Sequence, residues 1–310
     1  MKIPGISSIL AGHLLALCAT VLWSSMQIFA KILADRYSPI ELSFWRWAVA
    51  TAFFLPFVWR DVWAVRGVVR QHAVRLMIIS LIGMVGSSLT LFLGARTTTA
   101  TNMGLLLITA PLFIALICRF VFRELLSGQQ ITGLIIAAAG MAVLITRGDI
   151  VHLLSLSLTA GDLWVLAGAL CFAIYSVLVR YRPPQLGLNV FLCIIMGMGV
   201  IWMLPLALWQ WLFIKPLFRP TWAEVASLMH IGVMASTMAF LLWNKAVVLI
   251  GAVRAGVIYY CLPFSNYVLA LIFLGERLAL PQAVGGALII GGVVFSSFQA
   301  ILQAHAPKRN

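Results

Sequence analysis

Apolar runs of about twenty residues recur along the whole chain, separated by short clusters of charge, proline and glycine. They predict helices at 11–34, 41–59, 74–95, 99–122, 130–146, 160–180, 189–213, 223–245, 252–274 and 282–302. A hydrocarbon layer about 30 Å thick takes about 20 apolar residues at a rise of 1.5 Å each. Each run therefore reads as a membrane span. The expected fold is an all-α integral membrane protein of ten transmembrane helices. The third and fourth runs, and the eighth and ninth, are joined so tightly that either pair can be mistaken for one segment.

Composition closes off the soluble alternative. Of 310 residues, 63% are hydrophobic and 9% charged, against about 25% charged in a soluble domain. The mean hydropathy is +1.07. The net charge of +13 would suggest nucleic acid in a soluble protein, but here the basic residues lie between the apolar runs and no basic stripe is interleaved with aromatics. Anchoring and orientation by positive charge is the plainer reading. With the first residue in the cytoplasm, thirteen Lys and Arg fall on the inner side, Arg60, Arg66, Arg70, Arg75 and Arg180 among them, against seven outside. That balance puts both termini in the cytoplasm. The run from Leu14 to Ala34 is too long for a signal-peptide core and no A-x-A site follows it, so it is read as a span. The five cysteines and five histidines are scattered, without metal-ligand spacing or a disulfide framework. No metal or cofactor is expected.

Comparing the chain with itself shows a hidden repeat. A shift of 152 residues brings Ala100, Gly104, Pro111, Glu124, Leu126, Gln130, Gly133 and Gly140 onto Ala252, Gly256, Pro263, Glu276, Leu278, Gln282, Gly285 and Gly292. A shift of 149 brings Gly12, Leu14, Leu17 and Lys31 onto Gly161, Leu163, Leu166 and Arg180. Two halves follow, 1–148 and 149–310, each with five helices. An odd number per half makes the second enter the bilayer from the opposite side, giving two inverted five-helix repeats, an arrangement common among secondary transporters.

Leu22-Trp23-Ser24-Ser25 in the first helix, Phe44-Trp45-Arg46 in the second, Pro111 followed by Arg123-Glu124, and Pro263 followed by Gly275-Glu276-Arg277-Leu278 resemble the drug/metabolite transporter superfamily. The likeness is to its EamA-type ten-helix carriers, the aromatic amino acid exporters included, and covers about residues 11–302. The first half departs from the pattern where Arg123 stands in place of the usual glycine. The resemblance implies export or exchange of small metabolites by alternating access, without identifying the metabolite.

Arg46 is the one charge clearly inside a span. An intramembrane charge is costly and marks a functional position by default. Arg46 either receives a substrate carboxylate, or reaches towards the interface or pairs with Glu41. Thr20, Ser24, Gln27 and Lys31 form one helical stripe flanked by Trp23, which lines a cavity or bonds to neighbouring helices. In the sixth helix, Trp164, Gly168, Cys171 and Tyr175 repeat that periodicity, as packing or as cavity wall. The third helix offers Ser80, Gly83, Ser87, Thr90 and Gly94, a packing face first and a pathway second. Pro111 and Pro263 should kink the fourth and ninth helices. Near them lie Asn102, Thr109, Tyr259, Tyr260, Asn266 and Tyr267, polar groups suited to a zwitterion or amide, unless the kinks are purely structural.

All eight acids fall at or near span ends, so neither a mid-membrane proton carboxylate nor an anion for organic cations is apparent. No P-loop, dinucleotide fingerprint, H-E-x-x-H or nucleophile elbow is present, and the chain is not read as an enzyme. The expected function is an inner-membrane exporter of amino acids, large hydrophobic or aromatic ones favoured. A drug, nucleoside or sugar-derivative carrier is the alternative, and a membrane enzyme or inert subunit a remote one. The partners are a small-molecule substrate and the lipid bilayer, with monomer or homodimer left open.

Overall fold

In lipid a backbone must satisfy its own hydrogen bonds, so an apolar run closes into a helix. A computed structural model describes residues 6–33, 35–149, 159–274 and 280–305. Ten long helices stand there where the apolar runs predict. They are α1 (Ile6–Leu33), α2 (Pro39–Ala64), α3 (Ala73–Gly94), α4 (Ala100–Leu107 and Thr109–Leu116), α5 (Gly128–Thr146), α6 (Ala160–Leu178), α7 (Leu188–Phe213), α8 (Trp222–Ile250), α9 (Ala252–Tyr259 and Cys261–Leu274) and α10 (Leu280–His305). Eight of the described helices are long and apolar enough to cross a membrane outright. The other two are α9, which is broken, and α10.

The helix ends explain where the acids went. Ser38 with Glu41, Ser127 with Gln130, Thr159 with Asp162, and Thr221 with Glu224 each form a reciprocal capping box. The hydroxyl accepts from one orphan N–H and the side chain three residues on accepts from another. Glu41, Asp162 and Glu224 thus serve the starts of α2, α6 and α8. At the α8–α9 corner the chain turns through Gly251 at φ +85°, a left-handed backbone that favours glycine.

The prolines act locally. Pro111 and Pro263 have no N–H to offer the preceding turn, and the helices break three residues earlier, at Ile108 and Tyr260. The two breaks touch: the Tyr260 hydroxyl donates to the Ile108 carbonyl at 2.9 Å. Pro56 and Pro205, 149 residues apart, are carried inside α2 and α7 without a break.

Helix association in lipid depends on close fit and small residues. The tightest pair is α5 with α10, running antiparallel. A Cβ on Gly133 would lie 2.6 Å from the Gly292 carbonyl, and one on Gly140 2.7 Å from that of Gly285. Further pairs are α2 with α7, α4 with α9, α1 with α8, and α6 with α3. In the last, Gly94, Gly86 and Gly83 of α3 meet Val165, Cys171 and Tyr175 of α6 in antiparallel order. Both α3 and α8 contain a π-helical stretch, at Leu81–Gly86 and His230–Met238. Such a stretch widens one turn and re-aims the side chains around it.

Candidate functional site

Seven helices meet around a cavity of about 70 Å³. Its walls are Trp23 and Met26 from α1, Arg46 from α2, Ser87 and Leu91 from α3, Leu107 from α4, Gly168, Ala169 and Phe172 from α6, Phe240 from α8, and Tyr259 and Leu262 from α9. Ligand pockets are typically about 300–1,000 Å³. In this conformation the site holds a few waters or a small group, and a large side chain enters only if the walls part.

Trp23 organises the walls. Its indole Nε1 donates to the Ala235 carbonyl of α8 at 3.0 Å, and its ring lies 5.4 Å from both Phe172 and Phe240 in edge-to-face contact. Trp243 and Tyr259 complete the cluster at 5.3 and 6.0 Å. These are the favoured aromatic geometries, so the wall is a stiff box rather than a loose apolar surface.

Arg46 supplies the charge. It sits about 10 Å along α2 from the helix start and is 4% exposed. Its Nε donates to the Ser236 Oγ at 2.7 Å, and its Cζ lies 4.8 Å from the Trp47 ring and 5.8 Å from Phe240. Cation–π contacts of this kind contribute about 0.5–2 kcal/mol. They only partly offset the cost of a buried cation, about 2.5–3.5 kcal/mol at mid-bilayer on insertion scales. No carboxylate meets Arg46 among the described residues, where the ion pairs are Arg36–Glu224 and Arg180–Glu124. The alternative pairing with Glu41 is overturned. Glu41 accepts from the Ser38 backbone at 2.9 Å and from the Trp211 indole at 3.1 Å, both at the mouth of α2. Nη1 and Nη2 of Arg46 make no hydrogen bond to another described residue, and Arg46 forms part of the cavity wall.

Next to the cavity, one turn further along α6 and α8, polar side chains close on one another. The Tyr175 hydroxyl donates to Asn244 Oδ1 at 2.9 Å and accepts from its Nδ2 at 2.7 Å. Trp243 Nε1 donates to Ser176 Oγ at 3.1 Å. Beyond this floor, at the face carrying residues 65–72 and 182–187, Arg180 pairs with Glu124 at 2.8 Å and Phe122 stacks on Tyr181 at 4.3 Å. At the opposite face, Arg36 pairs with Glu224 at 2.9 Å and lies over the Phe218 ring at 4.3 Å.

Of the residues singled out from sequence, the cavity brings together Trp23, Arg46 and Tyr259, with Gly168 and Ser87 from the stripes. Others lie elsewhere. Ser24 is fully buried and donates to the carbonyls of Thr20 and Leu262 at 2.9 Å, and Thr20 donates to Leu17, so these members of the α1 stripe serve packing. The side chains of Gln27 and Lys31 lie outside the described residues. Asn102 is at the start of α4 beside Asp162, because the helix begins there rather than at cavity depth. Trp164 is 46% exposed on the outward face of α6. Tyr175 and Tyr260 are held beyond the wall by Asn244 and Ile108. Asn266 is half-buried and outside the lining. Pro111 is buried behind Leu107, and Pro263 follows Leu262; each shapes the wall through its helix break.

Sequence reasoning missed Phe172, Phe240, Met26 and Ser236. Phe172 was within reach, since the 149-residue shift places Trp23 on it. Phe240 and Met26 are ordinary apolar residues in apolar runs. Ser236 owes its position to the π-helical turn, which the sequence does not announce.

The fold and the cavity define the class: a multi-pass membrane protein whose long helices surround a buried aromatic site with, among the described residues, a single cation. The chain matches the EamA-like transporter family over residues 10–146 and 159–298, and it belongs to that family. It is 25% identical over 271 residues to the uncharacterized transporter YyaM of Bacillus subtilis, covering 86% of this chain and 87% of the relative. It is 29% identical over 285 residues to a probable terminal-alkyne amino-acid exporter of Streptantibioticus cattleyicolor, covering 90% and 91%. An uncharacterized inner membrane transporter of Salmonella typhimurium, YicL, is 24% identical over 300 residues, covering 95% and 98%. A solved crystal structure superposes with a TM-score of 0.74 at 19% identity, covering 95% of this chain and 99% of that one, which speaks for the fold alone.

Proposed function

We propose that this protein is a secondary carrier that exports amino acids across the inner membrane by alternating access, hydrophobic and aromatic ones favoured. One observation carries the reading: Arg46, whose Nε is held by Ser236 and whose Nη1 and Nη2 bond to no other described residue, lines a cavity whose other described walls are chiefly aromatic and aliphatic. A carboxylate can take both nitrogens in a bidentate, charge-assisted pair, while the side chain lies against Trp23, Phe172 and Phe240. The relative named as a probable amino-acid exporter supports the substrate class.

In the same reading, residues 1–148 and 149–310 are inverted repeats that rock about the cavity. The antiparallel contact of α5 with α10 supports it, because Gly133 meets Gly292 and Gly140 meets Gly285, the partners a twofold exchange demands. The excess of Lys and Arg on one set of loops supports cytoplasmic termini.

The test is flux from proteoliposomes with a panel of labelled amino acids, nucleosides and sugar derivatives. Amino-acid movement above empty liposomes, abolished by Arg46→Ala in a protein that stays monodisperse, is the expected result. Transport confined to the other compounds, or unchanged in Arg46→Ala, overturns the reading.

A further inference from the structure

A serine in an α-helix usually returns its hydroxyl hydrogen to the carbonyl three or four residues back. Ser24, Ser88 and Ser227 do so, each to the fourth residue back. Ser236 differs. It lies in the π-helical stretch His230–Met238 and donates to the Ile231 carbonyl, five residues back, at 2.8 Å. Thr237 beside it reaches Gly232, also five back, at 3.2 Å. The wide turn thus sets the direction of the Ser236 hydroxyl. With its single hydrogen committed to Ile231, the oxygen can only accept, and what it accepts is the Arg46 Nε–H at 2.7 Å.

The consequence lies in the shape of the guanidinium. It offers five N–H groups in a planar fork, and a carboxylate can dock side-on, using Nε and one Nη, or end-on, using both Nη. Ser236 is fully buried and occupies the side-on edge. The geometry points to Ser236 as a positioning residue, fixed by the π-helical register, that leaves Arg46 only end-on docking and so makes the site select a carboxylate head group over a neutral amide. This rests on the proposed role of Arg46 and adds its orientation, its supporting element and its chemical selectivity.

The test uses the full-length protein in proteoliposomes, with labelled L-phenylalanine as the transported probe and unlabelled L-phenylalanine and L-phenylalaninamide as competitors. Loss of one hydrogen bond to a charged group is expected to raise the phenylalanine constant about tenfold in Ser236→Ala. The amide constant should stay within about twofold, with maximal velocity little changed, so the preference for the acid shrinks. Ser236→Thr, which keeps the hydroxyl, should restore it. If the constants for acid and amide rise together, Ser236 is merely structural and the inference falls. It falls as well if Arg46→Ala abolishes transport while Ser236→Ala leaves the acid-to-amide ratio untouched. If Arg46→Ala itself transports normally, the amino-acid reading has failed first, an outcome the two variants keep distinct.

Discussion

The seams α1–α2–α8 and α6–α7–α3 are counterparts under the proposed repeat, yet only the first carries a charge at the depth of the cavity, Arg46. On the first, Trp23, Arg46 and Ser236 join three helices through side-chain hydrogen bonds. On the second, Phe172 stands at the place of Trp23, and Ile195, fully buried, stands 149 residues after Arg46. There Ser80 of α3 donates to the Ile195 carbonyl of α7 at 2.7 Å, a link with no charged partner. The counterpart position thus holds an apolar residue where the first seam holds a cation. A costly charge kept on one seam and dispensed with on the other is what a binding group looks like against its own internal control.

The largest effect should come from emptying the two positions in turn. Arg46→Ala is expected to remove transport while the protein stays folded. Ile195→Ala should do the reverse. Deleting a buried isoleucine costs about 2–4 kcal/mol through the cavity left behind, so thermal unfolding shifts down, while flux per folded molecule stays within about twofold. Equal loss of transport in both would show that the seams differ in residue type but not in role.

The small-residue contacts sharpen the contrast in stability. A Cβ on Gly161 would lie 2.9 Å from the Gly94 carbonyl and 2.8 Å from the Thr98 amide, both backbone. On its counterpart Gly12, the nearest atom is Ile250 Cγ2 at 2.4 Å, the end of a side chain that can turn away. Gly161→Ala should therefore cost about 3 kcal/mol, against about 1 kcal/mol for Gly12→Ala, measured as denaturation midpoints in one detergent. Trp23→Phe comes next. It leaves the buried Ala235 carbonyl without its 3.0 Å donor and should cost about 1 kcal/mol, whereas Phe172→Tyr on the other seam removes no hydrogen bond.

How much of this was legible beforehand depends on what kind of signal each feature leaves. The helices were, because hydrophobic length is a property of the sequence itself. So were kinks near Pro111 and Pro263, since proline removes a donor, although Pro56 and Pro205 sit in α2 and α7 without breaking them. Arg46 stood out for the same reason: a lone charge in an apolar run has few cheap explanations. The polar stripe of α1 left lining and helix bonding both open, because residues such as Ser24 and Thr20 can satisfy themselves on backbone carbonyls without water or ligand. Trp164 and Tyr175 share a periodicity, yet one faces outward and the other the bundle, a distinction set by neighbours that a single helix does not reveal. Ser236 left no trace, since a π-helical turn arises from packing rather than from any residue pattern.

The smallest expected effect concerns the two ends of the site. The Arg180–Glu124 pair has side chains 20% and 28% exposed, and pairs this wet are worth about 1 kcal/mol or less. A pair that weak adds little to stability. A difference of 1 kcal/mol nonetheless changes a two-state population about fivefold, so its effect should appear in the balance of conformations. Cys118 provides a native probe, being fully buried in the π-helical turn Ile117–Val121 that follows α4, with its carbonyl accepting from the Glu124 amide at 2.8 Å. Parting of α4 from α6 at this face would uncover it. Glu124→Gln should raise labelling of Cys118 by a membrane-impermeant maleimide about threefold, with Cys118→Ser as the blank, and shift the melting temperature little. Glu224→Gln, at the opposite face, should leave that labelling unchanged. If both variants raise it equally, the closures at the two faces are not separate, and the protein loosens as a whole instead of opening one end at a time.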